Sequence, residues 1–126
     1  MILADTSIWI EMFRKQRFKA ELGNLIDADQ LSIHPFVVAE LACGSLPDRQ
    51  KTLTWLDQLI ALPTVRLADV RVMIEARGLW SKRIGLTDAQ LLASCLATPG
   101  TQIWTIDAAL GKVAESIGIR AEVVPF

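Results

Sequence analysis

At 126 residues the chain reads as one domain, long enough to bury roughly two thirds of its unfolded surface without staples. A formal net charge of -1 excludes a broadly basic nucleic-acid binder and leaves room only for a local basic rim. No apolar run approaches the ~18 residues of a membrane span, and the first one meets an acid at once with no basic leader before it, so neither a membrane segment nor a signal peptide is expected and the location is read as cytoplasmic.

Ile2-Leu3-Ala4 is a short apolar run that delivers Asp5 to a strand end, with Thr6 or Ser7 expected to cap a helix from Ser7 to about Phe13. The basic patch Arg14-Lys15-Gln16-Arg17-Phe18-Lys19 leads into a second helix whose inner face is Leu22, Leu25 and Ile26. Leu31 to His34 reads as a second strand, and Pro35 suits the first turn of a nearly all-apolar helix ending at Gly44. Pro47-Asp48 opens another helix, running through Leu53, Leu56 and Ile60 to Pro63. Val65-Arg66-Leu67 is expected as a third strand, followed by a helix from Asp69 to about Lys82. Thr87-Asp88-Ala89-Gln90 has the hydroxyl-to-Gln spacing of a capping box ahead of the apolar stretch 91–97. Residues 102–105 form a fourth strand, Asp107 caps a helix from Ala108 to Ile117, and 121–124 make a short last strand. Alternating strands and helices imply a parallel sheet covered on both faces. A 52% hydrophobic composition fits such a sheet, and equally fits a surface buried against a second chain. Cys43 and Cys95 lie in apolar helical contexts and read as buried thiols, not a disulfide.

Four acids occupy matched places. Asp5 ends the first strand, Asp107 follows the fourth, Asp88 sits in the first turn of a helix, and Glu40 lies inside the most apolar helix. In a right-handed parallel layout, strand ends and the helix starts that follow them share one edge of the sheet, so Asp5 and Asp107 face one crevice and Asp88 can join them. Each of these three has a structural alternative as an N-cap, a dipole partner or an Asx-turn. Glu40 is harder to explain structurally, because its apolar neighbours make burial without a partner costly and no Lys or Arg lies within a helical turn. Carboxylates gathered in one crevice repel and drive one another toward protonation. A divalent cation relieves that, and an all-oxygen donor set suits Mg²⁺ or Mn²⁺.

Hydrophobic-Asp5-Thr6-Ser7, Ala39-Glu40-Leu41, Thr87-Asp88-Ala89-Gln90-Leu91-Leu92-Ala93-Ser94 and Thr105-Ile106-Asp107 together resemble, in that order, the motifs of the PIN-domain ribonucleases, and more narrowly the VapC-type toxins of toxin–antitoxin modules. The resemblance covers essentially the whole chain. It implies an α/β three-layer sandwich with a five-stranded parallel sheet flanked by helices, and a Mg²⁺- or Mn²⁺-dependent endoribonuclease leaving a 5′-phosphate and a 3′-hydroxyl. It implies that Asp5, Glu40, Asp88 and Asp107 are the catalytic, metal-binding acids and that Thr6, Ser7 and Thr105 support them. It also implies a homodimer inhibited by a small VapB-type antitoxin.

Arg14, Lys15 and Arg17, with Lys82 and Arg83 as a second group, are candidates for holding RNA phosphates, against the alternative of solvated loops. Trp9 and Ile10, next to the basic patch, are candidates for antitoxin contact. His34, the one histidine, reads as structural, and Lys112 as surface. The alternative to a nuclease is a regulatory binding module whose acids hold a structural cation or a basic partner segment. A phospho-receiver domain is disfavoured, because the first strand supplies one acid where receivers place a pair.

Overall fold

The computed structural model describes residues 1–125. In chain order the elements are β1 (Ile2–Ala4), α1 (Thr6–Lys15), α2 (Lys19–Asp27), β2 (Leu31–Ile33), α3 (Pro35–Ala42) and α4 (Arg49–Leu56). They continue as β3 (Ile60–Ala61), α5 (Leu67–Arg77), α6 (Leu86–Ala97), β4 (Gln102–Trp104) and α7 (Ala108–Ser116).

The strands pair in the order β3-β2-β1-β4, every pair parallel, with β1 at the centre. Leu3 opposes Ser32 on one side and Ile103 on the other. Successive strand residues point to opposite faces, and Leu31, Ser32 and Ile33 are all buried, as are Leu3 and Ala4. Both faces of the sheet are therefore covered by helices, which accounts for the hydrophobic composition through the fold itself. Burying a side chain such as Leu3 or Ile103 contributes about 1.5–3 kcal/mol.

Two expected strands are not found as placed, and one observed strand was not expected. Ile60–Ala61 is a strand where the periodicity predicted helix, because the helix stops at Leu56 and the two residues pair with Ser32 and Ile33. Val65–Leu67 is not a strand: the Gln90 side chain takes both backbone groups of Val65, and Leu67 already starts α5. The last expected strand, 121–124, is not formed; a single parallel bridge joins Ile103 to Arg120 just before it, so among the described residues the sheet has four strands and not five. The long apolar helix and α7 fall where the pattern placed them.

Local chemistry sets the ends of the elements. Left-handed backbone at Gln16 and Phe18 separates α1 from α2, and Phe18 meets Trp104 edge-on at 5.2 Å. Cys95 is buried, with its thiol pushed up to about 12 by desolvation, whereas Cys43 is exposed, contrary to expectation; both are free. Among the described residues no helix is long and apolar enough to cross a membrane.

Candidate active site

Asp5 follows β1 directly and is itself the N-cap of α1, a role expected of Thr6 or Ser7. Its Oδ1 accepts from the Ile8 N–H at 3.3 Å. The two hydroxyls take other work. Ser7 donates to Asp5 Oδ1 at 2.5 Å, and Thr105, just past β4, donates to Asp5 Oδ2 at 2.5 Å. Ser7 Oγ accepts from the Ile106 N–H at 3.2 Å, and Thr105 Oγ1 accepts from the Asp107 N–H at 2.9 Å. Because β1 and β4 are parallel neighbours, this network ties the carboxyl end of one to the carboxyl end of the other. Asp107 caps α7 through a bond from the Leu110 N–H at 2.8 Å. Its cap role and its place in the crevice coexist, since one oxygen caps and the group remains exposed.

Glu40 is exposed, which overturns the expectation of a buried carboxylate. It lies on α3, which packs against α1, and its Oε1 accepts from the Thr6 hydroxyl at 2.6 Å. Thr6 neighbours Asp5, so this bond brings α3 to the mouth of the β1 end. Asp88 sits at the third position of α6, and its Oδ2 accepts from the Gly85 N–H at 3.4 Å. That bond replaces the expected capping box, in which Thr87 would pair with Gln90. Gln90 is instead fully buried and clamps Val65, accepting from its N–H at 2.7 Å and donating to its carbonyl at 2.8 Å. Ser94, one turn on, donates to the Pro63 carbonyl at 2.9 Å and meets His34 Nε2 at 2.8 Å. This buried polar chain fixes α6, and with it Asp88, against the ends of β2 and α3. Sequence reasoning missed Gln90 and Ser94 as positioning residues; the signal was two polar side chains at i, i+4 in an otherwise apolar helix.

The acids act on one another electrostatically. Burial is the main force holding the Asp88 carboxyl above the ordinary carboxylate range, and the negative charges of Asp107, Asp5 and Glu40 push it the same way. Burial also raises Asp5, against the pull of its bonds from Ser7, Thr105 and the backbone. Among the described residues none of the four acids forms an ion pair with Lys or Arg. Also among the described residues, no three His, Cys, Asp or Glu side chains are grouped so that together they could hold a metal ion. The site is an open crevice lined by unneutralised carboxylates and hydroxyls. Its oxygen donors suit a hard cation that keeps several of its waters, as Mg²⁺ does with one or two direct carboxylates.

The outlying candidates divide. Lys15 and Arg17 both pair with Glu11, at 3.7 and 3.4 Å, and Arg17 also lies over the Phe18 ring. Arg14 lines a small groove with Ile10, Phe13, Leu41 and Leu46 beside Glu40. Lys82 and Arg83 line a larger cleft next to α7. Trp9 is inaccessible, packed on Phe13 and edge-on to Trp55, so it belongs to the core and not to a contact surface. Ile10 remains at the groove.

A family model described as PIN domain matches residues 2–116. A protein named Ribonuclease VapC32, from two strains of Mycobacterium tuberculosis, is 37% identical over 119 residues, covering 94% of this chain and 94% of the relative.

Proposed function

Because this chain belongs to the PIN-domain family and is of the VapC type, we propose that it is a metal-dependent endoribonuclease, the toxin of a toxin–antitoxin pair. The observation that carries this reading is the hydrogen-bonded cluster of Asp5, Ser7, Thr105 and Asp107 at one sheet edge, with Glu40 held beside it by Thr6 and Asp88 near enough to feel the other three charges. Asp5, Glu40, Asp88 and Asp107 would hold Mg²⁺ or Mn²⁺, one or two of them directly and the others through its waters, and the bound ion would supply Lewis acidity to a phosphodiester and to an attacking water.

The rest belongs to the chain. Asp5 is the rigid member, its two oxygens fixed by Ser7 and Thr105, so it would offer the cation a preoriented carboxylate. Asp88 and Asp107 come from two helix starts, and the exposed Glu40, held through one oxygen by Thr6, has its other oxygen available to orient water. Water attacks phosphorus in line and gives up a proton, the bond from phosphorus to the ribose 3′ oxygen breaks, and that oxygen takes up a proton from solvent to leave as a 3′-hydroxyl while the phosphate stays on the 5′ end. The uncompensated negative charge of the crevice opposes the scissile phosphodiester until a cation is bound there, whereas phosphates farther along the strand do not meet it.

The same reading extends to partners. Leu67, Val72, Trp80 and Leu86, each more than half exposed on α5 and around the start of α6, support a homodimer. The groove of Ile10, Phe13 and Leu46 beside Glu40 supports a VapB-type antitoxin segment laid over the site. A cytoplasmic, single-domain protein fits this role. The test is purified protein on labelled RNA: cleavage with Mn²⁺, none with EDTA, and 5′-phosphate ends on sequencing. Folded protein that binds RNA yet never cuts it with fresh Mn²⁺ would instead support the binding-module reading.

A further inference from the structure

The cleft beside α7 measures about 680 Å³ and lies between the end of α5, the loop to α6 and one side of α7 along its whole length. Arg77, Lys82, Arg83 and Lys112 line it, and no Asp or Glu does. All four cations are exposed, and among the described residues none is engaged in an ion pair. Four free cations around one cavity are a local excess in a chain whose formal net charge is -1. Ala108, the residue after Asp107, forms part of the wall, so the cleft begins where the acid crevice ends. Lys112 lies one helical turn beyond Ala108, on the same side of α7.

We propose that this cleft carries the phosphate backbone of single-stranded RNA away from the cleavage site along the α7 side. The proposal rests on the ribonuclease reading above and adds the direction of the strand and two residues, Arg77 and Lys112, to the substrate surface. The physical need is plain: a crevice of four carboxylates repels phosphates, and flanking cations offset that repulsion without competing for the catalytic ion. Arg77 and Arg83 offer planar forks that match phosphate oxygens. The alternative patch near α1 is weaker, because Glu11 already occupies Lys15 and Arg17.

The test measures binding of a fluorescein-labelled single-stranded RNA in EDTA, so that no cleavage intervenes, across a salt series. The double variant Arg77→Ala with Lys112→Ala should bind roughly 10- to 100-fold more weakly, with its log–log salt slope shallower by about 1.4. The double variant Lys15→Ala with Arg17→Ala should lose less than about threefold. Equal losses in the two, or an unchanged salt slope in the first while its unfolding midpoint matches wild type, would overturn the assignment. So would loss of poly-glutamate binding with RNA binding intact, since the cleft would then belong to an acidic protein segment. Failure of the nuclease reading looks different: RNA would bind as described and remain uncut in Mn²⁺.

Discussion

His34 gives the sharpest stability prediction. It is inaccessible to solvent at the end of β2, and its two ring nitrogens are committed to different partners. Nδ1 accepts from the Phe36 N–H at 3.0 Å, which places the ring proton on Nε2 and makes it the donor to Ser94 Oγ. Protonating the ring sets a second N–H against that of Phe36 and removes the cap of α3, the helix that carries Glu40. Burial pushes His34 down from 6.5 to about 4. The unfolded chain then takes up a proton that the folded protein refuses, so stability is full above about pH 7 and is lost as pH falls through 6.5 toward 4. The loss works out at roughly 2 kcal/mol by about pH 5 and about 3 kcal/mol by about pH 4. Urea unfolding of wild type and His34→Asn at about pH 7.5, 6 and 5 reads this directly, because Asn caps helices well and does not titrate. Wild type should lose roughly 2 kcal/mol more than the variant over that range. Asp5 and Asp88 work in the opposite direction: their raised carboxyls favour folding on protonation, and they cancel in the comparison. Parallel pH profiles for the two proteins would refute the reasoning.

Gln90→Leu keeps the volume but leaves the Val65 N–H and carbonyl without their partner; urea unfolding should show a loss of roughly 2–4 kcal/mol. Thr105→Val removes the donor to Asp5 and the acceptor for the Asp107 N–H, and should lower kcat for RNA cleavage about 10- to 100-fold with less effect on KM. Asp5→Ala should abolish detectable cleavage while its circular dichroism stays native, since the lost cap costs only about 1 kcal/mol. Stripping divalent cations with EDTA should stop cleavage in a labelled-RNA assay, and added Mn²⁺ should restore it.

The acids at the sheet edge were legible because a carboxylate directly after a short apolar run, or directly before a helical one, has a position that parallel topology dictates. Asp5, Asp107 and Asp88 were placed this way. Glu40 was singled out for the wrong reason: its apolar neighbours suggested burial, whereas the packing of α3 on α1 leaves it exposed and bonded to Thr6, a contact 34 residues apart in the chain. Pattern could not reveal β3, because Ile60 and Ala61 are both exposed at a sheet edge and show no alternation. It also mistook Val65–Leu67 for a strand, since a side chain from α6, not a neighbouring strand, satisfies that backbone. The basic cleft was half visible: Lys82 and Arg83 are adjacent in sequence, but Arg77 and Lys112 join them only through tertiary packing.

The most direct test of the central claim is calorimetric titration of Mn²⁺ into wild type and into Asp5→Asn, Glu40→Gln, Asp88→Asn and Asp107→Asn. The account predicts saturable binding in wild type and a weakening of about tenfold or more in each variant. Binding that is untouched when Glu40 or Asp88 loses its charge would contradict a shared site.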